Sequence, residues 1–418
     1  MSTNAPAIAD LEPALREIVG DVLVPGDTAY AVDGLVPRFV ATPGSVEELA
    51  AVLAAADARS AAVIPWGGGR HMTLGNLPSK YDIALRTVKL DRVLEYEPTD
   101  LVVTAQAGIT VGRLQALLAE HSQFFPIDAP DEATVGGVLA AGVSGPSRHA
   151  YGLPRDWLLG CRIAHADGAV SKGGGKVVKN VAGYDLPKLS VGSLGTLAVI
   201  VETTFKVAPV PAAQETFLAT YPSLEAAGEL LFAADERSLA LRELALQTGA
   251  QNEGLAACWL AGPPAAVERT ARELGDLARG AETRRLQGED SERWWSQLST
   301  QRAPAEGGVA LRAALPQSSV VSFMRRLSAS SLAYPTTGLV LAQLGDAPVE
   351  RLVDAIEAAR RQATEAGGSL VVEAAPVRVK ERIDVWGDAG DGLALMRRLK
   401  QQFDPRGTLN PGRFFGGV

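Results

Sequence analysis

The chain is poor in the residues that build metal centres and disulfide frameworks. Its 418 residues include two cysteines, Cys161 and Cys258, and four histidines, His71, His121, His149 and His165. Two distant cysteines give neither a disulfide framework nor a metal-site spacing, and they cannot hold an iron–sulfur cluster, which takes about four thiolates. They fit a reducing compartment. No two histidines stand where one helix face would present both to zinc, so no metal is expected. No apolar run approaches the roughly 20 residues that cross a bilayer. The first residues, MSTNAPAIADLEPALREIVG, lack the basic start and apolar core of a secretory signal. The expected location is cytoplasmic, or peripheral at the inner membrane through partners, with no transmembrane segment. Basic excess is also missing. Lys and Arg number 40 against 48 Asp and Glu, a net charge of -8, which argues against nucleic acid as a partner.

Glycine and apolar residues are plentiful, at 43 glycines and 47% hydrophobic composition. That suffices for two or three domains with full cores. Glycine concentrates between Pro126 and Val207, where it recurs among short apolar runs. Glycine weakens regular elements, so this density implies close backbone approaches or unusual φ. A large, flat, phosphate-bearing ligand would demand both.

Read in order, the chain starts with a short amphipathic helix over 8–20 and a strand at Pro37–Thr42. Ser45 caps a helix running to Arg59, with Glu47 and Glu48 in its first turn. A buried strand at Ala61–Pro65 completes a βαβ unit. Directly after it stands Gly67-Gly68-Gly69-Arg70-His71. A glycine triplet at a strand end leaves N–H groups able to ring an anion, although a tight turn alone also explains it. The pattern is neither the Gly-Lys-Ser/Thr phosphate loop nor the GxGxxG dinucleotide turn. Strands are expected at Tyr81–Leu85, Leu90–Tyr96 and Leu101–Gly108, then a helix opened by Thr110. Thr134–Gly142 reads as a helical turn lined by small residues, and Gly160–Val170 as a strand and hairpin. Leu194–Val207 reads as a strand pair or bent strand.

Pro209 and Pro211 mark a boundary. From 213 to 380 strands alternate with Ala/Arg/Glu helices, which suggests an α+β, ferredoxin-like module. Strands are expected at Leu241–Leu246, Leu255–Leu260, Val309–Arg312, Leu339–Leu344 and Leu370–Val372. Helices are expected at Ala265–Arg279, Ser291–Leu298, Ser318–Ser328 and Val349–Ala366. Trp294-Trp295 and Trp386 read first as core. The turn-rich tail, FDPRGTLNPGRF, either frays or returns to the first domain.

Four blocks in order resemble the FAD-binding oxidoreductases of the PCMH-type (vanillyl-alcohol-oxidase) superfamily: PWGGGRHMTLGN at 65–76, PDEATVGGVLAAGVSGPSRHAYGLPRDWLLG at 130–160, VKNVAGYDLPKLSVGSLGTLAVIVETTFKV at 178–207 and FDPRGTLNPGRF at 403–414. Within it, KNVAGYDLPKL with a short cap looks most like the FAD-binding E subunits of bacterial glycolate oxidases. The resemblance implies an α+β fold: a two-part PCMH-type FAD domain over 1–212, a smaller cap over 213–385 and a C-terminal segment, 386–418, returning to the FAD domain. It implies FAD contacts at Pro65, Gly67, Gly68, Gly69, Arg70 and His71 around the pyrophosphate, and at Pro130, Thr134, Gly136, Gly137, Ala140, Gly142 and Ser144 along the ribityl and isoalloxazine. Tyr151, Gly152, Arg155 and Asp156 match a YGxxRD segment. Gly195, Val199 and Ile200 match the segment near the adenine, and Asn410 and Arg413 the tail motif near the flavin ring. Some relatives tether FAD through a histidine in the glycine loop. Arg70 stands at that position with His71 one place later, so noncovalent FAD is expected.

One departure shapes the functional reading. Related 2-hydroxy-acid dehydrogenases carry a histidine-rich block late in the cap, whereas His165 is the last histidine here. Oxidising a 2-hydroxy acid needs a base for its hydroxyl proton and a cation for its carboxylate. Arg312, Arg378, Lys380 and Arg382 are cations in the cap region, the last two reading as solvated charges. No catalytic residue is assigned. The resemblance thus implies the FAD-binding subunit of a glycolate oxidase complex, working with a second flavoprotein and an iron–sulfur subunit on a small 2-hydroxy acid. A self-sufficient FAD-dependent dehydrogenase or oxidase, and a non-catalytic FAD-holding assembly subunit, are the alternatives.

Overall fold

The computed structural model describes residues 10–143, 145–176, 184–249, 253–300, 304–327 and 329–418. The chain divides into two compact units. One comprises Met1–Val143, Leu153–Pro209 and Asp388–Val418, the other Ser144–Gly152 and Val210–Gly387.

The first unit holds two main sheets. In the smaller, Phe39–Ala41 and Val63–Trp66 flank Ile83–Arg86, all three parallel, with Val24–Pro25 antiparallel at one edge. The three parallel strands are short and almost wholly buried, as parallel strands covered by helices are. The covering helix, Val46–Ala58, starts where the Ser45 side chain accepts the Glu48 N–H at 3.1 Å, with Glu47 and Glu48 in the first turn. It buries Val46, Leu49, Val52, Leu53 and Ala56. The C-terminal tail joins the edge of this sheet. Leu409 bridges Val63 in parallel, Val63 donates its N–H to Thr408 O at 2.8 Å, and Asn410 donates to Val63 O at 2.8 Å.

The larger sheet is antiparallel, in the order Val93–Glu97, Val102–Gln106, Val199–Lys206, Leu158–Ala164, Val170–Gly174. The stretch from 194 to 207 holds one bent strand, Val199–Lys206, not a pair. Leu194 (φ 52°) and Gly195 (φ 68°) sit in the left-handed region, so the strand cannot extend back through them. Two register shifts against Leu158–Ala164 bend it. Phe125 and Phe205 meet at 4.4 Å between ring centroids in the core beneath.

The second unit is an eight-stranded antiparallel sheet made of two similar halves. Ala213–Tyr221, Leu241–Thr248, Gly254–Gly262 and Glu282–Gln287, with helices Leu224–Asp235 and Pro264–Leu277, form one βαββαβ set. Its spatial strand order is fourth, first, third, second. Val309–Ala314, Ser330–Tyr334, Leu339–Leu344 and Ser369–Ala374, with helices Val320–Arg326 and Val349–Glu365, form the other, in the mirror order. Each half is ferredoxin-like. They join where Leu246 and Gln247 pair with Ala333 and Leu332. Trp295 is buried in this unit's core, stacks on Trp259 at 5.3 Å and donates Nε1–H to Thr216 Oγ1 at 2.9 Å.

Sequence reading missed three of these strands and one helix, for identifiable reasons. Glu282–Gln287 is a sheet edge whose side chains are nearly all exposed, so it carries no apolar alternation. Ala213–Tyr221 is buried along most of its length and begins just after a proline pair that reads as linker. Ser330–Tyr334 opens on two serines, a turn signal by composition. Helix Leu224–Asp235 contains Gly228, where a Cβ would lie 2.7 Å from Val321 Cγ2. Close packing there outweighs the poor helix propensity of glycine.

Two predictions follow from the packing. Phe205→Ala removes a fully buried ring and is expected to cost about 3–5 kcal/mol, read as a lower urea midpoint. Burial pushes the Cys161 thiol up to about 12 and raises that of Cys258 as well. Both stay protonated at pH 8, so iodoacetamide is expected to label neither in the native protein and both after unfolding.

Candidate functional site

The site grows out of the end of strand Val63–Trp66. There Gly67, Gly68 and Gly69 run against the turn at 131–134. A Cβ on Gly67 would lie 1.9 Å from Thr134 Oγ1, and one on Gly68 would lie 2.2 Å from Glu132 O. Gly69 has φ 72°. The triplet is therefore required by a close approach between two chain segments and by one left-handed residue. Its bare side faces the chain itself, where sequence reading had placed a ligand. Among the described residues, the amides of Gly67, Gly68 and Gly69 donate no hydrogen bond within the chain. These donors border a cleft of about 710 Å³ of open space, solvent at its mouth included.

The facing wall is the helix Val135–Ala141. Thr134 caps it by accepting the Gly137 N–H at 3.3 Å. Gly136 lets this helix approach the larger sheet, since a Cβ there would meet Ala107 Cβ at 2.9 Å. A third wall is the Leu194–Gly195 turn with Ala198, Val199 and Ile200. The tail closes the fourth side. Asn410, at φ 47°, donates from Nδ2 to Leu194 O at 2.5 Å. Arg413, only 1% exposed, donates from Nη2 to Met72 O and Leu74 O. Burial lowers its pKa to about 10, so it remains cationic at neutral pH.

Most residues singled out from sequence meet here. Pro65, Gly67, Gly68, Gly69, Arg70, His71, Thr134, Gly136, Gly137, Ala140, Gly195, Val199, Ile200, Asn410 and Arg413 all line the cleft. Others do not. Pro130 opens the turn that carries Thr134, its carbonyl accepting the Ala133 N–H at 2.9 Å. Gly142 ends the helix at φ 65° and packs on Gly192. Arg155 and Asp156 are exposed, and Asp156 accepts the Leu153 N–H at 2.8 Å. Tyr151 belongs to the second unit, where Arg242 lies over its ring at 5.7 Å. Ser144 lies outside the described residues. Sequence reading missed Met72, Thr87, Ala133, Val138, Ala141, Leu194 and Ala198. Several adjoin named glycines, but none has a side-chain chemistry that marks it.

Two family descriptions match the chain, "FAD binding domain" over residues 37–174 and "FAD linked oxidases, C-terminal domain" over residues 343–414. The glycolate oxidase subunit GlcE of Escherichia coli (strain K12) is 31% identical over 338 residues, covering 77% of this chain and 84% of that protein. The chain belongs to the PCMH-type FAD-binding oxidoreductases. Glycolate oxidase subunit GlcD of Bacillus subtilis (strain 168) is 25% identical over 418 residues, covering 91% of this chain and 89% of that protein. The solved structure of p-cresol methylhydroxylase with substrate bound shares the fold at a TM-score of 0.73 and 15% identity, covering 98% of this chain and 97% of that one. The cofactor of this oxidoreductase is FAD, as the glycine-rich blocks implied.

The cleft fits FAD on its own chemistry. Bare amides suit a pyrophosphate, and the small side chains of Gly136, Gly137 and Ala140 suit a flat ring system, with the cationic Arg413 also lining the cleft. Among the described residues no cluster of three or more metal-ligating side chains occurs, and no helix is long and apolar enough to cross a membrane.

The second unit corrects two readings. Lys380 is 4% exposed, not a solvated charge. And although the sequence after residue 165 has no histidine, the segment Ser144–Gly152 brings His149 into this unit. Its Nδ1 lies 3.0 Å from Thr336 Oγ1 and 3.9 Å from the Asp235 carboxylate. Burial lowers its pKa, and Asp235 opposes that shift without overcoming it. Arg312 and Arg378 are held by Glu373 at 2.5 Å and Asp346 at 2.6 Å.

Gly68→Ala is the direct test of the cleft. Its methyl group collides with a backbone carbonyl, so the 131–134 turn must move, at about 1–3 kcal/mol. The variant is expected to fold, with FAD occupancy below about a tenth of wild type by the 450 nm region of its absorption spectrum; wild-type occupancy contradicts the assignment.

Proposed function

We propose that the chain is the FAD-holding subunit of a complex that oxidises glycolate, or a closely related small 2-hydroxy acid, to the 2-oxo acid. A second flavoprotein and an iron–sulfur protein are its partners. One observation carries this reading. A cleft with the chemistry of an FAD site lies in a chain that is similar, over most of its length, to both a GlcD and a GlcE glycolate oxidase subunit.

Bound FAD supplies an acceptor for the hydride that leaves the hydroxyl-bearing carbon. The protein's residues do the rest. The amides of Gly67, Gly68 and Gly69 would hold the pyrophosphate oxygens, and Arg413 would add a fixed positive charge on the tail side, by the flavin ring. Thr134, Gly136, Gly137 and Ala140 give a flat wall, with Asn410 at its tail side and Gly195, Val199 and Ile200 towards the adenine. Pro130 and Gly142 act through backbone geometry, one opening the Thr134 turn and one ending its helix. No covalent link is formed, because Arg70 occupies the tether position.

A second reading is a self-sufficient FAD-dependent dehydrogenase or oxidase, which needs a base of its own for the hydroxyl proton.

Visible spectra decide between these readings. The purified chain is expected to be yellow, to keep its colour in anaerobic glycolate, and to bleach only with both partners present. Bleaching of the isolated chain establishes the second reading instead. A chain that stays yellow even in the assembled complex contradicts both.

A further inference from the structure

Lys400 stands on the last helix, Gly392–Phe403, and lines no part of the cleft. Its side chain is only 13% exposed. The ammonium donates to the Asp404 carboxylate at 2.7 Å, to Thr196 O at 2.9 Å and to Leu409 O at 2.7 Å. An ammonium has three donors, and all three are used. Two of the acceptors adjoin cleft residues. Thr196 follows Gly195 and Leu409 precedes Asn410, and both Gly195 and Asn410 line the cleft. Asp404, fully buried, also accepts the N–H groups of Thr408 and Leu409 at 2.9 and 2.7 Å. One buried ion pair therefore joins a loop and a tail that are some 200 residues apart in sequence.

A buried charge is costly: replacing a whole buried pair by apolar side chains is often neutral, but removing one partner leaves the other charge buried and unpaired. Burial does pull Lys400 below the usual lysine range, with Asp404 acting against it. An apolar replacement would leave the carbonyls of Thr196 and Leu409 without this donor. An arginine fork is planar and longer, and does not match three acceptors converging on one point.

We propose that Lys400 is a positioning residue for the cofactor: its ammonium fixes the spacing between the Gly195 turn and the Asn410 tail, and so sets how tightly FAD is held. This rests on the assignment of the cleft to FAD. The test strips the full-length wild type, Lys400→Met, Lys400→Gln and Gly68→Ala of FAD and titrates each with FAD, following flavin fluorescence. Melting temperature is recorded with and without a fixed FAD concentration.

Lys400→Met is expected to raise the FAD Kd at least about tenfold and to shrink the rise in Tm on adding FAD, because that rise follows the Kd. Lys400→Gln, which keeps a donor, is expected to fall between Met and wild type, and it carries the test if Lys400→Met does not fold. A purely structural role lowers the Tm of the FAD-free form but leaves the Kd and the FAD-induced rise unchanged. That result in a folded Lys400 variant overturns the inference. Gly68→Ala separates the two claims. If it alone loses FAD, the cleft assignment stands and the Lys400 inference fails. If it too binds FAD as wild type does, the cleft assignment itself falls.

Discussion

The buried guanidinium of Arg413 is the contact on which the geometry of the first unit turns. It sits 1% exposed near the end of the chain and donates to the carbonyls of Met72 and Leu74, which follow the glycine triplet. Such a charge stays buried only with its donors engaged, and if the tail left, the carbonyls of Met72 and Leu74 would lose this donor. The neighbouring backbone tightens the joint. Asn76 donates to Arg413 O at 3.0 Å, Ser79 donates to Pro411 O at 3.0 Å, and Leu409 extends the parallel sheet beside Val63. A segment rich in turn residues thus becomes a fixed wall of the cleft instead of a frayed end.

This explains why glycine is so dense around the site. At Gly67, Gly68 and Gly136 the missing side chain makes room for other parts of the chain, at 1.9, 2.2 and 2.9 Å from an ideal Cβ. Gly75, next to the tail, shows the same, with Arg413 O at 2.9 Å. Three segments distant in sequence can converge only where none has a side chain between them. The cleft's amides are left over from that convergence, which is what makes them available to an anion.

Much of the site was legible because its residues are unusual in composition and order. Gly67–Gly69, Thr134, Gly136, Gly195 and Asn410 stand in compact blocks that keep their sequence order. The errors have physical causes. Tyr151 follows a segment that packs into the second unit, a choice made by tertiary contacts and invisible in local pattern. Lys400 and Asp404 were not singled out, since an i,i+4 pair is ordinary on a surface helix and only burial distinguishes this one. In the second unit the edge strand Glu282–Gln287 has no apolar face to betray it, and the repetition of one βαββαβ arrangement leaves no repeated motif in the sequence. The absence of histidine after residue 165 was a true statement about sequence but not about the second unit, because His149 reaches it from the glycine-rich region.

The most direct measurement is a crystal structure of the chain purified with FAD. Density for the pyrophosphate is expected within hydrogen-bond distance of the Gly67–Gly69 amides, with the ring system between the Gly136–Gly137 helix and Asn410. Phosphates lying away from the triplet, or FAD density elsewhere in the molecule, would contradict the site on which the functional reading stands.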